Sequence, residues 1–392
     1  MIKTILTASI CLSVAATSTT AEVPEIKTLE IGAKAPDFSL QGTDGKTYTL
    51  DTFKKAKYLV AVFTCNHCPD AIAARDKINQ FAIDYKSKGV EVVAISSASP
   101  KGLQLWENGH SKYSDDFESM KLVAKEHKLT HPYLYDGETQ KTSIAYGAVA
   151  TPHVFIFGPD RKLRYQGQFD NGKRDPGPAK KKTVINTIDA LLAGKPVPET
   201  KTRVFGCSTK WHWKDKLVAA EKKEWESRPV TVEAMDATLA KTIAANKTRK
   251  YRLVNIWSTS CGPCIQEFPT LVRAYQFYTQ RPFELITIST DPKADNAKVL
   301  RFLKDQHLPV SKWTQKSIDK EGRKTNNYHF QGDDLDDLAK AIDPKWQGPM
   351  PHSFIIAPGG EVVWRKTGAV EIFELRSAIL DAINGKKPAQ KK

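Results

Sequence analysis

Residues 58–69 read YLVAVFTCNHCP, and residues 252–269 read RLVNIWSTSCGPCIQEFP. Each begins as an apolar strand-like run, reaches two cysteines three positions apart, and passes into a helical pattern. After the first pair, Ala71, Ala74, Ile78, Phe81, Ala82 and Tyr85 form one apolar face, which Gly89 ends. After the second, Ile265, Phe268, Leu271, Val272 and Tyr275 do the same. A β-branched run follows in both places, VEVVAIS at 90–96 and FELITIS at 283–289. Further on, Thr151-Pro152 precedes HVFIF, and Met350-Pro351 precedes HSFII. Turns at Pro159-Asp160 and at Pro358-Gly359-Gly360 then lead into returning strands at 163–166 and 361–365. The first cysteine and the proline are 87 residues apart in one copy and 90 in the other, so one element order occurs twice.

Length and composition agree. The 392 residues suit two domains better than one. With 40% hydrophobic and 26% charged residues, wholesale disorder and fibrous repeats are excluded. No apolar run reaches the roughly 18–20 residues of a membrane span. The net charge is +15, but the basic residues are scattered apart from 180–182 and the C-terminal tail, so no nucleic-acid partner is expected.

Lys3, the apolar run 4–16 and the small residues after it have the order of an export signal, with cleavage expected after Ala21. Cys11 leaves with it, and no stable membrane insertion is expected afterwards. The expected organisation is a signal at 1–21, a domain at 27–199, a linker at 200–230 with some helix in 213–225, and a domain at 231–388. The mature chain keeps Cys65, Cys68, Cys207, Cys261 and Cys264. Two C-x-x-C pairs plus one odd cysteine do not make a dispersed disulfide framework. The wide separation of the pairs, each in its own copy, disfavours a shared four-cysteine zinc site. No cofactor and no metal are expected.

Strand, C-x-x-C, helix, strand, then X-Pro-strand-turn-strand resembles the thioredoxin superfamily. The resemblance implies an α/β protein of two tandem thioredoxin-like folds, each a mixed sheet flanked by helices. It also implies a cis proline, Pro152 or Pro351, opposite each C-x-x-C. The second copy is similar to the TlpA/ResA branch of exported thiol–disulfide oxidoreductases. There Gly262-Pro263 implies a reducing dithiol, Pro269 fits a helix kink, and Glu267 matches a carboxylate able to move the Cys264 proton or simply to stabilise the helix start. Asn255 stands where thioredoxin itself carries a buried aspartate. The first copy resembles redoxins related to alkyl-hydroperoxide-reductase-like proteins through FTCNHCP at 63–69, YLYD at 133–136, RKLRYQG at 161–167 and FGCS-x-KW at 205–211. Asp70-Ala71 departs from the aromatic-aliphatic pair expected there.

A thiolate is favoured at a helix N-terminus, so Cys65 and Cys261 are the expected nucleophiles and Cys68 and Cys264 the resolving thiols. His67 would stabilise the Cys65 thiolate and make the first dithiol the better oxidant. Cys207 is open between a buried small residue, a third redox thiol and an intermolecular partner. The expected function is disulfide exchange with protein thiols and disulfides, with electrons from a membrane-bound or soluble reductase. A peroxiredoxin-like peroxidase is the alternative within the enzymes, but Val62 stands where its threonine would be. A copper-binding metallochaperone is the other alternative, invited by His153 and His352 after the two prolines. Strand alternation points those rings away from the dithiols. The stretch 317–348, with its acidic run at 333–337, reads as an insertion that could shape access to Cys261.

Overall fold

The computed structural model describes residues 24–389 apart from 173, 176 and 178, so the expected export signal lies outside the described residues. The N-terminal half builds a seven-stranded sheet from β1 (Ser39–Gly42), β2 (Thr47–Thr49), β3 (Tyr58–Thr64), β4 (Val90–Ser96), β5 (Tyr133–Tyr135), β7 (His153–Phe157) and β8 (Leu163–Gly167), in the order β2-β1-β5-β4-β3-β7-β8. A short β6 (Ala150–Thr151) pairs outside that sheet with β9 (Cys207–Ser208). The C-terminal half builds six strands, β10 (Glu233–Met235), β11 (Tyr251–Trp257), β12 (Phe283–Ser289), β13 (Asn327–Phe330), β14 (His352–Ile356) and β15 (Val362–Thr367), in the order β10-β13-β12-β11-β14-β15.

The same five-strand core recurs. β5-β4-β3 and β13-β12-β11 are parallel, β7 and β14 run antiparallel to them, and β8 and β15 reverse again to run antiparallel to β7 and β14. Even a register irregularity recurs, at Ile156/Phe157 and at Ile355/Ile356. β3 is apolar on both faces because helices cover both, as parallel strands require.

The helices are α1 (Pro69–Lys86), α2 (Phe117–Glu126), α3 (Lys141–Tyr146) and α4 (Thr183–Leu192) in the first half, then α5 (Asp215–Ser227) between the halves. The second half has α6 (Ala237–Ala245), α7 (Gly262–Tyr278), α8 (Asn296–Asp305), α9 (Lys312–Asp319), α10 (Leu335–Ile342) and α11 (Ile372–Ile383). No helix among the described residues is long and apolar enough to cross a membrane.

The stretch 200–230 is docked along its length. Lys201 bridges to Gln166, Cys207–Ser208 pairs with β6, and Trp225 of α5 is buried in the second core, donating its indole N–H to the His307 carbonyl at 2.8 Å. The halves also meet directly. Arg376 of α11 is buried; it donates to the Ser111 carbonyl at 2.7 Å and to Ser114 Oγ at 3.1 Å. Its guanidinium lies over the Phe277 ring.

Candidate functional site

Each C-x-x-C lies where the central parallel strand ends and the long helix begins, the end of such a sheet at which sites are built. The prolines decide which cysteine meets the helix. Pro69 opens α1, so Cys68 is its N-cap. In the second half Gly262 opens α7 with Pro263 behind it, so Cys261 is the N-cap, and its sulfur accepts the Cys264 N–H at 3.3 Å. The positive end of the helix therefore falls on the second cysteine of one pair and the first of the other. The sequence expectation had placed it on the first cysteine of both. The signal was present in the sequence, as the proline stands after the pair in CNHCP and inside it in CGPC.

In the first centre the three cysteines are free thiols packed together. Cys65 and Cys68 are buried, and Cys207 is the partly exposed one. Cys68 Sγ donates to the Thr151 carbonyl at 3.2 Å and receives the Cys207 backbone N–H at 3.4 Å. The Cys207 thiol, and next the Cys65 thiol, hold the Cys68 proton affinity well below the ordinary thiol value. Burial pushes the Cys65 thiol up, and contact with Cys68 pushes Cys207 up. Cys65 Sγ lies 3.1 Å from Thr151 Oγ1 and 4.0 Å from His67 Nε2.

His67 does not act alone. Its Nδ1 is 2.5 Å from Asp115 Oδ2, and both residues are buried. Burial by itself would lower the His67 pKa; the Asp115 charge overrides it and the pKa is raised. Asp115 also receives the Asn66 N–H at 2.6 Å, and Tyr133 donates to Asn66 Oδ1 at 3.0 Å. Asp70, close to Cys68, is clamped bidentately by Arg174 at 2.9 and 3.0 Å. Sequence reasoning missed Asp115 and Arg174, and it held Tyr133 only as part of the YLYD motif, with no role at the dithiol. All three come from distant segments, and no local spacing ties them to the cysteines.

The second centre is open and oxidised. Cys261 and Cys264 form a disulfide; Cys264 is buried and Cys261 partly exposed. Glu267, also buried, accepts from Asn255 Nδ2 and from the Val370 N–H, each at 2.9 Å. Burial pushes its carboxyl up to about 7. Thr151-Pro152 and Met350-Pro351 are both cis. In the first half the strand before the proline is covered by β9. Among the described residues no strand pairs with the corresponding stretch before Pro351.

Two groups bring three possible metal ligands together among the described residues: Cys65, His67 and Asp115; and Cys68, Asp70 and Cys207. Neither includes His153, whose ring meets Gln166, or His352, whose ring meets Thr367 and Asp343. In both groups the carboxylate already has a partner, His67 or Arg174.

The profile of the AhpC/TSA family matches residues 31–166 and 230–365, one match on each half. The chain belongs to the AhpC/TSA family. Its relatives include a thiol-disulfide oxidoreductase ResA from Oceanobacillus iheyensis, 28% identical over 131 residues, which are 33% of this chain and 55% of that one. Another ResA, from Bacillus thuringiensis subsp. konkukian, is 28% identical over 138 residues, 34% of this chain and 68% of that one. The chain thus spans about half the length of the first of these relatives. An uncharacterized conserved protein from Geobacillus kaustophilus is 38% identical, with a TM-score of 0.42 over 46% of this chain and 92% of that one. A hypothetical protein from Sinorhizobium meliloti 1021 is 32% identical, with a TM-score of 0.42 over 47% and 96%. In this AhpC/TSA chain both halves have the thioredoxin-like arrangement, a mixed sheet with a C-x-x-C at the head of a helix and a cis proline opening the neighbouring strand.

Proposed function

We propose that the chain is a thiol–disulfide oxidoreductase that exchanges disulfides with protein partners, with one dithiol centre in each half. The observation that carries this reading is Cys261. It is a partly exposed residue at the head of α7, disulfide-bonded to buried Cys264, beside an edge with no strand on it among the described residues. A partner thiolate attacks Cys261, the Cys261–Cys264 bond breaks, and Cys264 leaves as a thiolate that takes a proton; the partner's second thiol then attacks the mixed disulfide, so the partner leaves as a disulfide and Cys261 as a thiol. The reverse reduces a partner disulfide. An extended partner segment can add along an open edge. Cis-Pro152 and cis-Pro351 stand at the start of the strands paired with β3 and β11. We also propose export to an oxidising compartment, periplasmic or extracellular, where such exchange has substrates. An exported mature chain would begin at Glu22.

The test is the reduction potential of each pair, measured in glutathione or dithiothreitol buffers on the C65S/C68S and C261S/C264S proteins, together with reduction of insulin disulfides. Two reversible couples are expected, the 261/264 pair lower. Pairs that stay inert to dithiothreitol would overturn the reading.

A second reading, a thiol peroxidase, draws on a cavity of about 20 Å³ beside Cys65, bordered by Arg75 and His131. That is room for one small polar molecule. The raised Cys65 pKa opposes it, because a peroxidatic thiol must ionise. Cys65-dependent peroxide consumption would decide in its favour.

A further inference from the structure

Cys207 lies in the stretch expected to link the domains, yet it is built into the first centre. β9 pairs antiparallel with β6, Cys207 opposite Thr151 and Ser208 opposite Ala150. Thr151 is the residue before cis-Pro152, and its carbonyl is the acceptor for Cys68. The backbone is shaped for the contact. Gly206 has a φ of +147°, and a Cβ there would stand 2.0 Å from the Thr151 carbonyl oxygen. The segment is fastened on its far side as well. The Thr209 N–H donates to the Val149 carbonyl at 3.0 Å, and the Lys210 carbonyl accepts from the Ser99 N–H at 2.8 Å and from Gln140 Nε2 at 2.9 Å. Lys210 Nζ is paired with Glu107. An edge that could receive an extended partner is therefore occupied by the chain itself, with a cysteine set against the dithiol. The Cys68 and Cys207 sulfurs lie within 4.8 Å of each other.

We infer that the N-terminal centre is a three-thiol relay in which Cys68 exchanges its disulfide between Cys65 and Cys207, and that Cys207 is the thiol that meets the partner. This rests on the exchange reading above and assigns it a route. The Cys65–Cys68 disulfide is supplied by a donor protein disulfide, which is reduced to two thiols as the pair is oxidised. The internal step is redox-neutral. Cys207, losing its proton, then attacks the Cys68 sulfur of that disulfide. The Cys68–Cys207 bond forms, the Cys65–Cys68 bond breaks, and its electron pair leaves on Cys65 Sγ, which takes up a proton. A partner dithiol then attacks the sulfur of Cys207, the partly exposed residue of the three. Cys68 leaves reduced, and the second partner thiol resolves the mixed disulfide, so the partner is oxidised to a disulfide as Cys68 and Cys207 are reduced. Exposure fits this direction, since Cys65 and Cys68 are buried behind Cys207.

The experiment uses the full mature chain. It is equilibrated in glutathione buffers from reducing to oxidising, the free thiols are alkylated, and tryptic peptides are mapped by mass spectrometry. Cys65 and Cys68 share the peptide 58–75, and Cys207 lies on 204–210. A cross-link between these peptides is expected at intermediate potentials. It should persist in C65S and disappear in C68S, within a monomer. In C65S, Cys207 should be protected from alkylation at least tenfold under oxidising buffer. Reversible Cys65–Cys68 and Cys261–Cys264 oxidation with Cys207 alkylated throughout would overturn the relay and leave the exchange reading standing. A cross-link that survives in C68S, or joins two chains, would also overturn it. If no pair oxidises at all, both fall.

Discussion

Glu267 and His67 are buried titratable groups whose shifts have different consequences. Glu267 has its carboxyl raised to about 7 by burial, so the folded state holds a proton that the unfolded chain gives up near the ordinary glutamate value. The fold therefore loses stability as pH rises from about 4.5 to 7, by on the order of 3 kcal/mol, and changes no further above that. In E267Q that slope should vanish. A constant cost should remain, because both carboxylate oxygens accept hydrogen bonds and an amide nitrogen cannot. Urea unfolding of the two proteins across pH 4–8 gives the difference profile; parallel profiles would refute the assignment. For His67 the sign differs. Its pKa is raised, so the His67–Asp115 pair stabilises the fold at and below the ordinary histidine range and loses that contribution as pH rises through the folded value. D115N removes the main influence opposing burial, leaving a smaller one from Cys68, and the His67 proton affinity should fall at least roughly tenfold. NMR titration of the ring checks this.

At the scale of elements, the strap at 205–211 and the pairing of β11 with β12 each depend on a small feature. In G206A the Cβ would collide with the Thr151 carbonyl, so β9 should leave β6, at a cost of about 1–3 kcal/mol. Cys65 should then be alkylated faster than in the wild type, while the 261/264 potential is unchanged. An unaltered Cys65 rate would mean that the strap does not guard the dithiol. Arg252 and Glu284 are register partners on β11 and β12, wholly buried, and Glu284 also receives Arg323. E284A leaves two guanidiniums short of a counter-charge in the core and should destabilise the second half by about 3–5 kcal/mol, measurable by denaturant unfolding.

At the scale of the whole molecule, the halves are joined through the loop that supports the first centre. Arg376 of α11 holds the Asn108, Ser111 and Tyr113 carbonyls and Ser114 Oγ, and the next residue, Asp115, holds His67. R376A strands those carbonyls and should cost about 2–3 kcal/mol. It should also change the titration of His67 without touching either dithiol directly. Hydrogen exchange should rise first in 108–115. If exchange there stays at the wild-type level, the two halves are energetically independent at this contact.

The duplication, the strand–dithiol–helix order and the two proline positions were legible in the sequence because they rest on local patterns: alternation, helical spacing and a residue type that the backbone demands. Cys65, Cys68, Cys261 and Cys264 came with them. The position of proline in CNHCP and CGPC also carried the helix register, although the first-cysteine expectation passed over it. What only the tertiary structure decided is the environment of those sulfurs. Asp115 reaches His67 from 48 positions away, Arg174 reaches Asp70 from 104, and Cys207 reaches Cys68 from 139. Burial and proximity are properties of the packed chain, and pKa follows from them. The same C-x-x-C spacing therefore makes a covered cluster of three thiols in one half and a half-buried disulfide in the other.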